Sequence, residues 1–135
     1  MTTIDHLGIA VKSLAQAKAL YEQLGLRVVK EETIAHEKVK VAMIPLGESR
    51  VELLEATEPD SPVGKFIAKR GEGIHHIALH VPDLSAAVEQ LKKSGTRFVS
   101  EEIKVGAGGH LYVFIHPSSA GGVLIELCED PPAGV

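Results

Sequence analysis

A duplication constrains this chain more than any other feature: shifted by 70 residues, the sequence matches itself. His6-Leu7-Gly8-Ile9-Ala10-Val11 falls over His76-Ile77-Ala78-Leu79-His80-Val81. The match continues through Leu14 over Leu84, Ala17 over Ala87, Gly25 over Gly95, Arg27 over Arg97 and Val29 over Val99. Seven of the 24 pairs from 6 to 29 are identical, so the chain reads as two copies of one module. Val51-Glu52-Leu53-Leu54-Glu55 then lies over Ile125-Glu126-Leu127-Cys128-Glu129 at an offset of 74, the difference being a few loop residues gained in the second copy.

Each copy opens with alternating residues, changes to helical spacing and returns to strands, the order βαβββ. In the first, Ser13 suits an N-cap, Leu14, Ala17, Leu20, Tyr21 and Leu24 form an apolar stripe, and Gly25 stops the helix. In the second, Asp83 or Ser85 caps, Leu84, Ala87, Val88 and Leu91 make the stripe, and Gly95 stops it. Later strands are expected near 26–31, 38–46, 50–55, 97–102, 111–116 and 122–128. Between the copies, Ser61-Pro62 opens a short helix through Phe66 and Ile67 that ends at Gly71. The chain of 135 residues is therefore expected to be one domain, with module 1 about 1–57, a linker helix about 58–72 and module 2 about 73–130.

Composition removes several classes of partner. Lys plus Arg number 14 against 18 Asp plus Glu, a net charge of -4, and no basic stripe suggests nucleic acid. No apolar run approaches the roughly 20 residues that span a bilayer. A single Cys128 cannot form an internal disulfide, and Met1 to Asp5 lack a basic, apolar start, so a cytoplasmic protein is expected.

Strand alternation places His6, Gly8 and Ala10 on one face and Leu7, Ile9 and Val11 on the other, which the helix should cover. The second copy sets His76, Ala78 and His80 against Ile77, Leu79 and Val81. Small residues beside an imidazole leave open space, as on a cavity wall. Glu52 and Glu126 sit inside apolar strands, where a carboxylate needs a partner. Taken singly, such a His is a hydrogen-bonded interior residue and such a Glu a solvated edge charge. Equivalence across the repeat turns the reading: two His and two Glu, converging if the sheets surround one concavity, suit a divalent Co, Mn, Ni, Fe or Zn ion. His75 points to the other face, and His36, His80, His110 and His116 lack a repeat partner of the same type.

Ile4-Asp5-His6 opening the first copy, Gly73-Ile74-His75-His76-Ile77-Ala78 opening the second and Gly122-Val123-Leu124-Ile125-Glu126-Leu127 closing the chain resemble the vicinal oxygen chelate superfamily. Within it, Glu52-Leu53-Leu54-Glu55, Asp60-Ser61-Pro62, Gly106-Ala107-Gly108-Gly109 and Phe114-Ile115-His116-Pro117 are similar to the methylmalonyl-CoA epimerase family. The resemblance covers nearly the whole chain. It implies an α+β fold in which the two modules' sheets form a shared open barrel around a metal site. It implies His6, His76 and Glu126 as metal ligands with Glu52 as the fourth, a cobalt-type ion, a coenzyme A thioester substrate and a homodimer. Two departures stand out: Val41 lies where some members carry an acid/base Glu, and Ser118 lies where the family often has Lys near the coenzyme A phosphates.

The C–H between a thioester carbonyl and a carboxylate is acidic, and a divalent ion would stabilise the enolate formed from it. Inversion requires a proton donor and acceptor on each side of that planar species. Glu126 is the first choice for one side and Glu52 the candidate for the other. The loop with Gly108 and Gly109 is expected to offer unobstructed backbone N–H groups to substrate oxygens, with His110 at its edge. A glyoxalase-like isomerase or dioxygenase keeps the metal but not the coenzyme A signatures. A metal-free binding protein of this fold tends to lose the His and Glu ligands.

Overall fold

The computed structural model describes residues 1–131. Its elements run through βαβββ twice. The first pass is β1 (Thr3–Ala10), α1 (Leu14–Gln23), β2 (Lys30–Ile34), β3 (Val39–Leu46) and β4 (Ser49–Ala56). After the connecting helix α2 (Pro62–Arg70) come β5 (Gly73–His80), α3 (Leu84–Lys93), β6 (Lys104–Val105), β7 (Leu111–Ile115) and β8 (Ile125–Glu129). Two compact units result: His6–His75, and the residues from His76 onward together with Met1–Asp5.

In the first unit β4 lies parallel to β1 with Glu52 beside Gly8, and β3 lies antiparallel to β4 with Met43 opposite Glu52 and Val41 opposite Leu54. β2 completes the sheet on the far side of β3. α1 starts where Ser13 Oγ accepts the Gln16 N–H at 3.2 Å. It packs Leu14, Ala17 and Tyr21 against Val11, Ala42, Ile44, Val51 and Leu53. Ile44 and Leu53 are fully buried, each stabilising the fold by about 1.5–3 kcal/mol. Two stripe residues fall outside this core: Leu20 is 60% and Leu24 68% exposed. At 3.6 residues per turn, Leu20 lies about 90° round from the Leu14–Ala17–Tyr21 centre, and Leu24 follows the last turn. The strand expected from 26 begins only at Lys30, because Leu26 and Val28 spend their side chains on the α1 core while their segment approaches the sheet. α2 follows the sequence reading, with Ser61 Oγ accepting the Gly64 N–H at 3.0 Å and Gly71 at φ 80° ending it.

In the second unit β5 pairs in parallel with β8, Ala78 beside Glu126, and β7 joins β8 with Phe114 opposite Glu126 and Tyr112 opposite Cys128. β6 is the short edge strand, Lys104 opposite Tyr112. Asp83, not Ser85, caps α3, its Oδ1 accepting the Ala86 N–H at 3.0 Å. Leu84, Ala87, Val88 and Leu91 all meet the core of Val81, Phe98, Val113, Ile115 and Leu127. The strand expected over 97–102 shrinks to one bridge between Phe98 and Ile115. The Val99 N–H to Phe114 O and His116 N–H to Arg97 O bonds, both 2.9 Å, flank that bridge, but the ladder goes no further: Ser119 Oγ accepts the Arg97 N–H and Ser100 Oγ the Glu102 N–H. β8 begins at Ile125 and not 122, since Gly121 and Gly122 hold φ of 64° and 89°, outside strand geometry.

One closure repeats in both units. Glu55 at the end of β4 accepts the Leu14 N–H at 2.8 Å, and Glu129 at the end of β8 accepts the Leu84 N–H at 3.0 Å. Each carboxylate ties the last strand of its module to the positive end of the module's helix. Among the described residues no helix is long and apolar enough to cross a membrane.

Candidate functional site

The face of each sheet turned away from its helix carries the chemistry. In the first unit the β1–β4 register puts Glu52 next to Gly8, so no side chain fills the space beside the carboxylate from that strand. His6 is 4% and Glu52 4% exposed, and His6 Nδ1 stands 3.4 Å from Glu52 Oε2. In the second unit the register is the same, Ala78 beside Glu126. His76 is 5% and Glu126 9% exposed, and His76 Nε2 stands 3.0 Å from Glu126 Oε1. Each unit thus holds one of the expected His beside one of the expected Glu, both side chains largely buried. A buried carboxylate against a buried imidazole is the donor set of a borderline metal ion. His6, Glu52, His76 and Glu126 all belong to groups of side chains suited to holding one.

The pairs differ in what surrounds them. Arg50, two residues before Glu52 and so on the same strand face, puts both Nε and an Nη on Glu52 Oε2 at 2.7 Å. The residue two before Glu126 is Leu124, which has no charge to offer. Sequence reasoning missed Arg50, although its spacing of two from Glu52 in a strand was the available signal. The second pair is instead walled by aromatic rings. Phe114 meets His76 edge-on with centroids 5.4 Å apart, and Tyr112 meets Phe114 at 5.6 Å. Tyr112, Cys128 and Ala78 form a buried cluster on this face. By strand register Tyr112 in β7 occupies the position that Val41 holds in β3. Val41 is 3% exposed and apolar, so β3 supplies no acid at that place.

The glycine loop is more self-contained than the sequence suggested. The Gly106 N–H bonds His110 O at 2.8 Å, Gly109 N–H bonds Gly106 O at 3.1 Å, and His110 N–H points at Ala107 O. Gly108 and Gly109 sit at φ of 70° and 79°, the conformation that glycine adopts at least cost. The Gly109 amide is therefore committed within the loop, which corrects the expectation of a row of open donors. Gly106 is needed for another reason: a Cβ there would come within 3.0 Å of the Tyr112 ring. His110 Nδ1 is buried without a hydrogen bond and lies 3.7 Å from Asp130 Oδ1, to which His80 Nε2 approaches at 3.3 Å. Of the other histidines, His116 Nδ1 accepts the Ser118 N–H at 3.0 Å, and His75 packs edge-on against Phe66 at 5.1 Å.

Comparison with known proteins defines the class. The profile of the glyoxalase/bleomycin resistance protein/dioxygenase superfamily matches residues 5–114, and the chain belongs to that superfamily. Within it, the likeness is to methylmalonyl-CoA epimerases. The human mitochondrial methylmalonyl-CoA epimerase is 40% identical over 126 residues, 92% of this chain and 72% of that protein. An ethylmalonyl-CoA/methylmalonyl-CoA epimerase of Cereibacter sphaeroides is 38% identical over 127 residues, 92% of this chain and 95% of that one. A solved methylmalonyl-CoA epimerase in complex with methylmalonyl-CoA and NH4+ superposes with a TM-score of 0.93 at 37% identity, covering 100% of this chain and 97% of that one. The α+β fold that the resemblance implies is the fold of these proteins.

Proposed function

We propose that this protein is a metal-dependent epimerase that interconverts (R)- and (S)-methylmalonyl-CoA by removing and returning the proton α to the thioester. The observation that carries the reading is a buried His–Glu pair repeated on equivalent strands of both modules, in a chain 37% identical over its full length to an epimerase solved with methylmalonyl-CoA. His6, Glu52, His76 and Glu126 would hold one divalent ion, cobalt first among Co, Mn, Ni, Zn and Fe. When bound, that ion supplies positive charge to the oxygen on which the enolate's charge develops.

The protein's own groups do the rest. Glu126 takes the proton on one face of the α-carbon: its neighbour His76 touches Oε1, and no arginine on its strand competes for it. Glu52 is assigned the opposite face and, paired with Arg50, also fixes charge beside the substrate. Phe114 and Tyr112 keep water from the Glu126 side, where a stray solvent proton would compete with the returning one. Gly108, Gly109 and His110 border the substrate, the loop serving by shape and by the His110 ring more than by a row of amides. A homodimer in the cytosol completes the reading. Support for the substrate comes from relatives at 38–40% identity that are methylmalonyl-CoA epimerases.

One experiment tests it. Purified metal-loaded protein is incubated with a single methylmalonyl-CoA epimer in deuterated water, and inversion and label uptake are followed together. Inversion accompanied by one deuterium at the α-carbon is expected. No inversion and no uptake with any of the five metals overturns the proposal.

A further inference from the structure

The strands β5, β6, β7 and β8 together contain one Lys or Arg, Lys104. Directly opposed residues in an antiparallel pair share a face, so Lys104 opposite Tyr112, and Tyr112 opposite Cys128, place all three on the side that carries Glu126 and His76. Lys104 is half-buried, and among the described residues no carboxylate lies within ion-pair distance of its ammonium. Lys92, by contrast, reaches Glu101 at 3.7 Å from the helix. A lysine with a partly covered stem and no carboxylate partner among the described residues, on the face that receives a substrate, offers its ammonium to an anion on that substrate.

Two anions of a malonyl-type coenzyme A thioester compete for the assignment. Two strand spacings across the sheet and two residues along it put the Lys104 and Glu126 Cα atoms about 12 Å apart, a gap the lysine stem closes from one side and the glutamate from the other. Coenzyme A phosphates are held off from the α-carbon by the whole pantetheine arm. The acyl carboxylate is attached to that carbon directly. Resting on the epimerase reading, we infer that Lys104 binds the free carboxylate of the acyl group and selects α-carboxylated thioesters over plain ones. The adjoining Tyr112 ring, packed on Gly106, holds the stem in place. Lys104 is here a specificity residue; it moves no proton.

The test compares methylmalonyl-CoA with propionyl-CoA, the same thioester without the carboxylate, by calorimetric binding to metal-loaded wild type, Lys104→Met and Lys104→Arg. Methionine keeps the stem and removes the charge, and circular dichroism and metal content verify that each variant is folded and loaded. Lys104→Met should bind methylmalonyl-CoA roughly 10- to 100-fold more weakly, with propionyl-CoA unchanged and Lys104→Arg close to wild type. An equal loss for both thioesters assigns Lys104 to the shared coenzyme A portion and overturns the inference, as does no loss for either. Wild type that binds neither thioester overturns the epimerase reading itself, an outcome visible before any variant is made.

Discussion

Replacing Glu129 by Ala removes the acceptor that β8 offers to the first amide of α3. The bond is 3.0 Å, partly buried and charge-assisted, and it sits at a helix N-terminus. A hydrogen bond to a charged group contributes about 1.5–3 kcal/mol, and a carboxylate at a helix N-terminus adds about 0.3–1 kcal/mol. Partial exposure lets water replace some of the bond, which brings the expected loss to about 2 kcal/mol. With an unfolding entropy of roughly 2.1 cal/mol/K per residue, the 135 residues give about 0.28 kcal/mol/K and a fall in Tm of about 7 °C. Glu55→Ala should behave alike, since Glu55 accepts from Leu14 at 2.8 Å in the same geometry. The two glutamines separate the contributions: Glu129→Gln keeps an accepting oxygen and loses only the charge, so its cost should be about 1 kcal/mol. Urea and thermal melts followed by circular dichroism decide it. A loss under about 0.5 kcal/mol in both alanine variants, or glutamine as damaging as alanine, would refute the claim that these carboxylates clip each module's last strand to its helix.

Other expectations are more direct. Elemental analysis should find about one divalent ion per chain, lost in His6→Ala and His76→Ala; full retention in both variants removes them from the ligand set. Chelated protein should stay folded, because both cores are built from apolar side chains and include none of the His or Glu candidates, and should lose only the ligand's contribution to Tm. Glu126→Gln should retain metal yet turn over roughly 100- to 10,000-fold more slowly, and near-normal turnover would transfer the proton to another group. The Lys38–Asp60 pair at 3.0 Å gives a pH signature. The hydrogen bond and charge of Lys38 hold the Asp60 carboxyl below its ordinary 3.8, so its contribution is present above pH 3.8 and lost as pH falls through the lowered value. Lys38 is raised above 10.5 by the same partner, so its contribution is lost as pH rises through the raised value. Asp60→Asn should accordingly show a small, salt-sensitive deficit at neutral pH that vanishes against wild type at both extremes of a Tm–pH series.

The sequence by itself determined the elements whose signals are local or repeated. Strand alternation around His6 and His76, the caps at Ser13 and Ser61, the glycine stops and the 70-residue offset each depend on neighbours within a turn or a strand, or on comparison of the chain with itself. The burial of Glu52 and Glu126 was legible for the same reason, since a lone carboxylate in an apolar strand is conspicuous twice over. Tertiary structure decided what depends on partners far along the chain. The pairing around Phe98 stops at one bridge because Ser119, 22 residues from Arg97, takes the Arg97 amide that would extend the ladder. Leu20 stays exposed because the sheet's apolar residues pack on Leu14, Ala17 and Tyr21, about 90° round the helix from it. The Phe114 ring against His76 and the place of Lys104 on the same face as Glu126 come from strand register, which depends on long-range pairing that no local pattern encodes. Which residues are candidate ligands was therefore written along the chain, whereas what surrounds each candidate was left to the packing of strands.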